Sequence, residues 1–161
     1  MNMEWHLRGL LASLAREEGV FGRVTPEAQG SVEEQIRTLV VEAERAWERH
    51  AAPGATGPDS TAEVAEAINE VGSKYATDLM TYLAADDLVF RGSPRRDRAH
   101  ARQAAARVVE LLGYGSVWHT NISDFSEQVR AWSPVTRHTF DGVVAGTGNG
   151  LTVVLLQVGE D

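Results

Sequence analysis

The chain has 161 residues, a net charge of −8 from 15 basic and 23 acidic side chains, and no cysteine. That length suffices for a single domain over residues 1–161, burying roughly 70% of the surface an unfolded chain exposes. Without cysteine there are no disulfides, thiolate zinc sites or thiol nucleophiles, and the acidity argues against a non-specific nucleic-acid binder, which needs a basic face to displace counterions.

The N-terminal stretch Met1–Arg8 carries charge inside its apolar pattern, and no apolar run approaches the roughly 18 residues of a membrane span, so a cytoplasmic protein is expected. Lys74 is the only lysine, and arginine, alanine and glycine abound, a composition expected of a GC-rich bacterial genome. Charge is uneven: residues 91–110 hold six bases against two acids, set in an otherwise acidic chain.

In chain order, a first helix is expected from Met3 to about Glu18, with Leu7, Leu10, Leu11 and Leu14 inward and Gly19–Gly22 closing it. Ser31-Val32-Glu33-Glu34 matches a capping box and opens a second helix, whose stripe is Val32, Ile36, Leu39, Val40, Ala43 and Trp47. Residues 51–59, with two prolines and two glycines, read as a loop. Ser60-Thr61-Ala62-Glu63 is a second capping box, and Val64, Ile68, Val71, Tyr75, Leu79 and Tyr82 recur at three- and four-residue steps, predicting one long third helix. A fourth is expected after Ser93-Pro94, with Ala101, Ala105, Val108 and Leu112 on one face.

Ser116–Thr120 reads as a short strand, and Ser123 as the cap of a one- or two-turn helix ending at Trp132. The C-terminal quarter is a hairpin: Thr136–Ala145 and Leu151–Val158 flank Asn149-Gly150, the dipeptide best suited to a type I′ turn. A two-residue loop sets Val144 opposite Leu155 and Val143 opposite Leu156, so both faces are apolar. A lone hairpin is marginal in water, so Ser116–Thr120, Val20–Val24 or another molecule must complete its sheet. The fold class that follows is α+β: about four helices packed on a small C-terminal antiparallel sheet.

Three constellations carry candidate chemistry. Trp118, His119, Asp124, Trp132 and His138, with Asp141 nearby, would form a ligand pocket if the hairpin packs beside the preceding loop, and imidazole with carboxylate supplies acid/base groups. The histidine spacing fits no metal motif, so no metal and no cofactor is assigned and the histidines read as structural. Gly146–Gly150 leads into a strand rather than a helix, which makes it a hairpin turn and not a phosphate loop. Arg95, Arg98 and Arg102 share one helix flank as an anion-binding candidate, or pair with the acidic helices.

The function expected on these grounds is that of a small, non-enzymatic, acidic interaction protein of the inhibitor, immunity or adaptor type. Its partner would be another protein or a second copy, reached through Val143, Val144, Leu155 and Leu156. The alternative is a small-molecule-binding protein or enzyme using the Trp118–His138 pocket.

Overall fold

The hairpin is the centre of the architecture. A computed structural model describes residues 2–47, 56–90, 92–125 and 130–160. In chain order its elements are α1 (Met3–Leu14), β1 (Val20–Pro26), α2 (Val32–Ala46), α3 (Thr61–Ala67), β2 (Asn69–Val71), α4 (Ala76–Ala85), α5 (Arg98–Leu112), β3 (Val117–Thr120), β4 (Ile122–Phe125), β5 (Arg130–Trp132), β6 (Phe140–Gly148) and β7 (Leu151–Gly159). Five strands form one antiparallel sheet in the order β1-β7-β6-β3-β2, while β4 and β5 pair separately. The fold is α+β, as expected, but with five α-helices rather than four among the described residues.

Asn149 (φ 49°) and Gly150 (φ 80°) both adopt positive φ, the pairing a type I′ turn demands. The resulting register sets Val143 against Leu156 and Val144 against Leu155. Successive residues therefore face opposite layers. On one side, Val144, Val153, Leu155 and Trp118 pack against Leu7, Leu11 and Leu14 of α1, Leu79 and Leu83 of α4, and Ala105, Val108 and Leu112 of α5. On the other, Val143, Ala145, Val154, Leu156 and Val158 pack against Ile36, Leu39, Val40 and Ala43 of α2 and Val64 of α3.

This arrangement removes the exposed surface on which association through Val143, Val144, Leu155 and Leu156 was argued. All four are at most 1% exposed within one chain, because helices from both directions along the sequence cover both faces of the hairpin. The strand edges expected to need a partner are met internally as well: β1 pairs with β7 and β3 with β6, so Val20–Val24 and Ser116–Thr120 both contribute strands.

Several local expectations need correction. The third helix is interrupted: α3 ends at Ala67, Ile68 turns extended (φ −103°, ψ 153°), and Asn69–Val71 become β2 on the sheet edge before α4 begins at Ala76. β-branched Ile68 and Val71 favour extended backbone, and pairing with β3 satisfies groups that a helix would otherwise have bonded. Helix α5 is capped by Asp97, which accepts from Ala99 N at 2.9 Å, not by Ser93-Pro94, where Pro94 instead bridges Asp86. Ser123 opens no helix; it lies in β4, which pairs with β5. The first helix stops at Leu14, short of Glu18, and the loop expected at 51–59 is described only from residue 56. Both capping boxes form N-caps, with Glu34 N bonded to Ser31 Oγ and Glu63 N to Ser60 Oγ, each at 3.2 Å.

A buried amide and a close ring contact fasten the layers. Gln157 on β7 donates to Leu83 O (2.7 Å) and Asp86 O (2.8 Å) and accepts from Leu88 N (3.0 Å), which satisfies carbonyls at the end of α4. Trp118 lies flat over Gly146, where a Cβ would stand 2.5 Å from its ring, so only glycine fits there.

Gly150→Val is expected to destabilise the fold by about 1 to 3 kcal/mol through backbone strain alone, since nothing crowds a Cβ at that position. An unchanged denaturation midpoint refutes the turn assignment. Leu155→Glu and Leu156→Glu, each placing a charge in a closed core, are expected to unfold the chain rather than split a complex. Native-like circular dichroism in either variant contradicts a closed core on both faces.

Candidate functional site

The side chains expected to form a pocket are divided among separate environments. Trp118 is wholly buried under α1, α4 and α5, its indole N–H donating to Ser116 Oγ at 2.9 Å. His119, the next residue on β3, faces the opposite layer, and its Nδ1 is buried without a hydrogen-bond partner. His138 is buried in the loop before β6, with Nδ1 3.0 Å from Glu160 Oε1 and its ring edge-on to Trp47. Trp132 packs against Phe140, with ring centroids 5.7 Å apart, beside a cavity of about 20 Å³, room for about one water. Asp124 pairs with Ala131 through the β4–β5 ladder, and its side chain lies outside the described residues. Strand alternation is the reason these groups do not converge: Trp118 and His119 are adjacent in sequence and therefore on opposite faces.

The arginine cluster is likewise committed within the chain. Arg98 makes a two-pronged pair with Asp86 (2.7 and 3.0 Å), which raises the guanidinium pKa above its ordinary value. Arg102 pairs with Asp78 at 2.5 Å and Arg95 donates to the carbonyl of Glu18 at 2.8 Å. The partners are residues of α4 and of the two loops nearby, not the glutamates of α2 and α3. Glu42 and Glu44 bind Arg23 and Arg137 instead.

Around His138 the structure builds a polar knot. Asp141, 2% exposed, accepts from Thr136 Oγ1 (2.8 Å), Thr136 N (2.9 Å), Val135 N (3.2 Å) and Asn121 Nδ2 (2.8 Å). Asn121 closes the knot through its Oδ1, which accepts from Val143 N at 2.8 Å. Burial pushes the Asp141 carboxyl up from 3.8 to about 6, against the opposing pull of those donors. Glu160, held by Thr139 and His138, stays below the usual carboxylate range although its own burial works the other way. The loop 133–139 is thereby tied to β6, to the end of β7 and, through Arg137 N and Glu44 (2.9 Å), to α2. The backbone amides from Val135 to Thr139 all donate within the protein, which makes this loop a brace for the sheet.

A roomier concavity lies elsewhere, at the turn end of the hairpin on the α2 side. It has a volume of about 520 Å³ and is lined by Glu27, Gly30, Ser31 and Val32 from the entry to α2, by Gly115 and Val117 before and on β3, and by Thr147, Gly148 and Thr152 from the hairpin. Its size falls in the roughly 300–1,000 Å³ range of small-molecule sites. The register explains its polarity. Thr25, Thr152 and Thr147 lie side by side across β1, β7 and β6, on the face that nearer the centre carries Val154, Ala145 and Leu156. Thr147 and Thr152 hydroxyls are 3.1 Å apart, while Thr25 Oγ1 is buried with no partner in a residue only 6% exposed.

Sequence reasoning missed this site, although half of its signal was present. The turn that pairs Val144 with Leu155 also pairs Thr147 with Thr152, a consequence of the expected register that sequence reasoning did not draw. Glu27, Ser31 and Val117 join them only through strand pairing and helix docking.

The Asp141 shift carries a defined pH dependence. The folded chain holds this proton more tightly than an unfolded chain, so the group favours folding below about pH 4 and loses that contribution as pH rises to about 6, an interval worth about 3 kcal/mol. The stability of the native protein minus that of Asp141→Asn, measured by denaturant at pH 4 and pH 7, is therefore expected to fall by up to that amount. A difference that is flat with pH removes the buried proton from the account.

No family model, no curated protein and no solved structure matches the chain, so its function rests on the geometry of the site itself.

Proposed function

We propose that this is a small-molecule-binding protein whose ligand sits in the cavity between the entry to α2 and the turn end of the β6–β7 hairpin. The observation that carries this reading is the threonine pair on the hairpin: Thr147 and Thr152 line about 520 Å³ of open volume, on the face that β6 and β7 otherwise fill with Val143, Ala145, Val154 and Leu156. Hydroxyls at the margin of an apolar layer forgo burial energy, about 1.5 to 3 kcal/mol for a large aliphatic side chain, in return for hydrogen-bonding capacity. Binding rather than catalysis fits the lining, in which Glu27 is the only titratable side chain.

A second reading, the acidic interaction protein, draws on Tyr114, whose side chain is fully exposed next to Gly115 on the cavity rim, and on the net charge of −8. A sedimenting mass above the monomer that Tyr114→Ser abolishes favours it.

Titrating isotope-labelled protein with a panel of small polar molecules is expected to shift the backbone amides of Gly30, Val32, Gly115, Thr147 and Thr152 together. Thr147→Phe, which fills the floor of the cavity, is expected to fold normally and lose those shifts. Shifts gathered around His138 and Trp132 instead, or unaltered by Thr147→Phe, contradict the assignment.

A further inference from the structure

Resting on that reading of the cavity, the charges around it point to the class of ligand. A helix N-terminus ordinarily favours anions, through its free amides and the positive end of its dipole. Here the first turn of α2 is already occupied by its own acids. Glu34 Oε1 accepts from Ser31 N at 3.0 Å and Glu34 N donates to Ser31 Oγ, which holds the Glu34 carboxyl below its ordinary pKa and so ionised. Glu33 stands beside it, and Glu27 lines the cavity itself. No lysine, arginine or histidine is among the lining residues. An anionic ligand would meet like charge, whereas a cation would find Glu27 at the wall.

The floor asks for a second property. Thr147 and Thr152 line it with two hydroxyls hydrogen-bonded to each other at 3.1 Å. One donates to the other, which leaves one donor and the remaining lone pairs, so the pair matches ligand groups that both donate and accept. Gly30, Gly115 and Gly148 bring backbone rather than side chain to the walls, leaving Val32 and Val117 as the apolar contacts. We infer that the cavity takes a small hydroxylated amine, its protonated nitrogen at Glu27 and its hydroxyls on Thr147 and Thr152, in the manner of an amino sugar or amino alcohol.

Three sugars of one ring size test this: glucosamine, glucose and glucose 6-phosphate, titrated calorimetrically into the full chain. Glucosamine is expected to bind at least tenfold more tightly than glucose, and glucose 6-phosphate more weakly than either. Glu27→Gln, a change at an exposed position, is expected to bring glucosamine down to the affinity of glucose, whereas Glu66→Gln, an exposed acid on α3, leaves the preference intact. Equal binding of all three sugars, tighter binding of the phosphate, or the same loss in both glutamine variants overturns the inference. If amide shifts from the panel still gather at Gly30, Val32 and Thr147 while glucosamine shows no advantage, the amine class alone is wrong. If they gather elsewhere, the cavity reading fails with it.

Discussion

A strand that is apolar on both faces must be covered twice, and β7 is such a strand. From Thr152 to Gly159 every residue is buried, with Val153 and Leu155 directed into one helical layer and Val154, Leu156 and Val158 into the other. Antiparallel sheets commonly leave one face to solvent. This one does not, because its central hairpin carries no alternating polar set. The chain supplies α1, α4 and α5 to one side and α2 with α3 to the other, and the order β1-β7-β6-β3-β2 buries the hairpin between strands recruited from both ends of the sequence.

Closure on both faces constrains the polar groups as well. Inside such a sandwich each buried donor or acceptor needs a partner, and the partners found are long-range: Gln157 with Leu83 and Asp86, Asn121 with Asp141 and Val143, Glu44 with Arg137. These bonds fix the loops that return the chain to the sheet, which explains why His138 and Asp141 are absorbed in structure. Asp141 bears the cost of that role in a proton held up to about pH 6.

Where the sandwich ends, the constraint relaxes. At the turn end of the hairpin the face under α2 changes from Val154 and Ala145 to Thr152 and Thr147, and the volume above them is open instead of filled by helix side chains. The same β-ladder that packs the core thus delivers a hydroxyl pair to its rim, and the acids at the start of α2 give that rim its sign.

By itself the sequence determined what depends on neighbours a few residues apart. The Asn149-Gly150 turn, the hairpin register it sets, the caps at Ser31 and Ser60 and the apolar stripes of α1, α2 and α5 are local matters of φ preference, short hydrogen bonds and period, and they stand in the structure. Tertiary structure decided the remainder. The break at Ile68 exists because an edge strand was needed beside β3, which no helical periodicity can reveal. The two layers over Val143, Val144, Leu155 and Leu156 come from segments well over a hundred residues away, such as Leu7 of α1 over Leu155, so apolar faces that read as an interface became core. The cavity followed the same logic: the turn register pairs Thr147 with Thr152, but Glu27 and Ser31 reach them only when β1 and α2 dock, because proximity between distant residues is set by packing and not by sequence order.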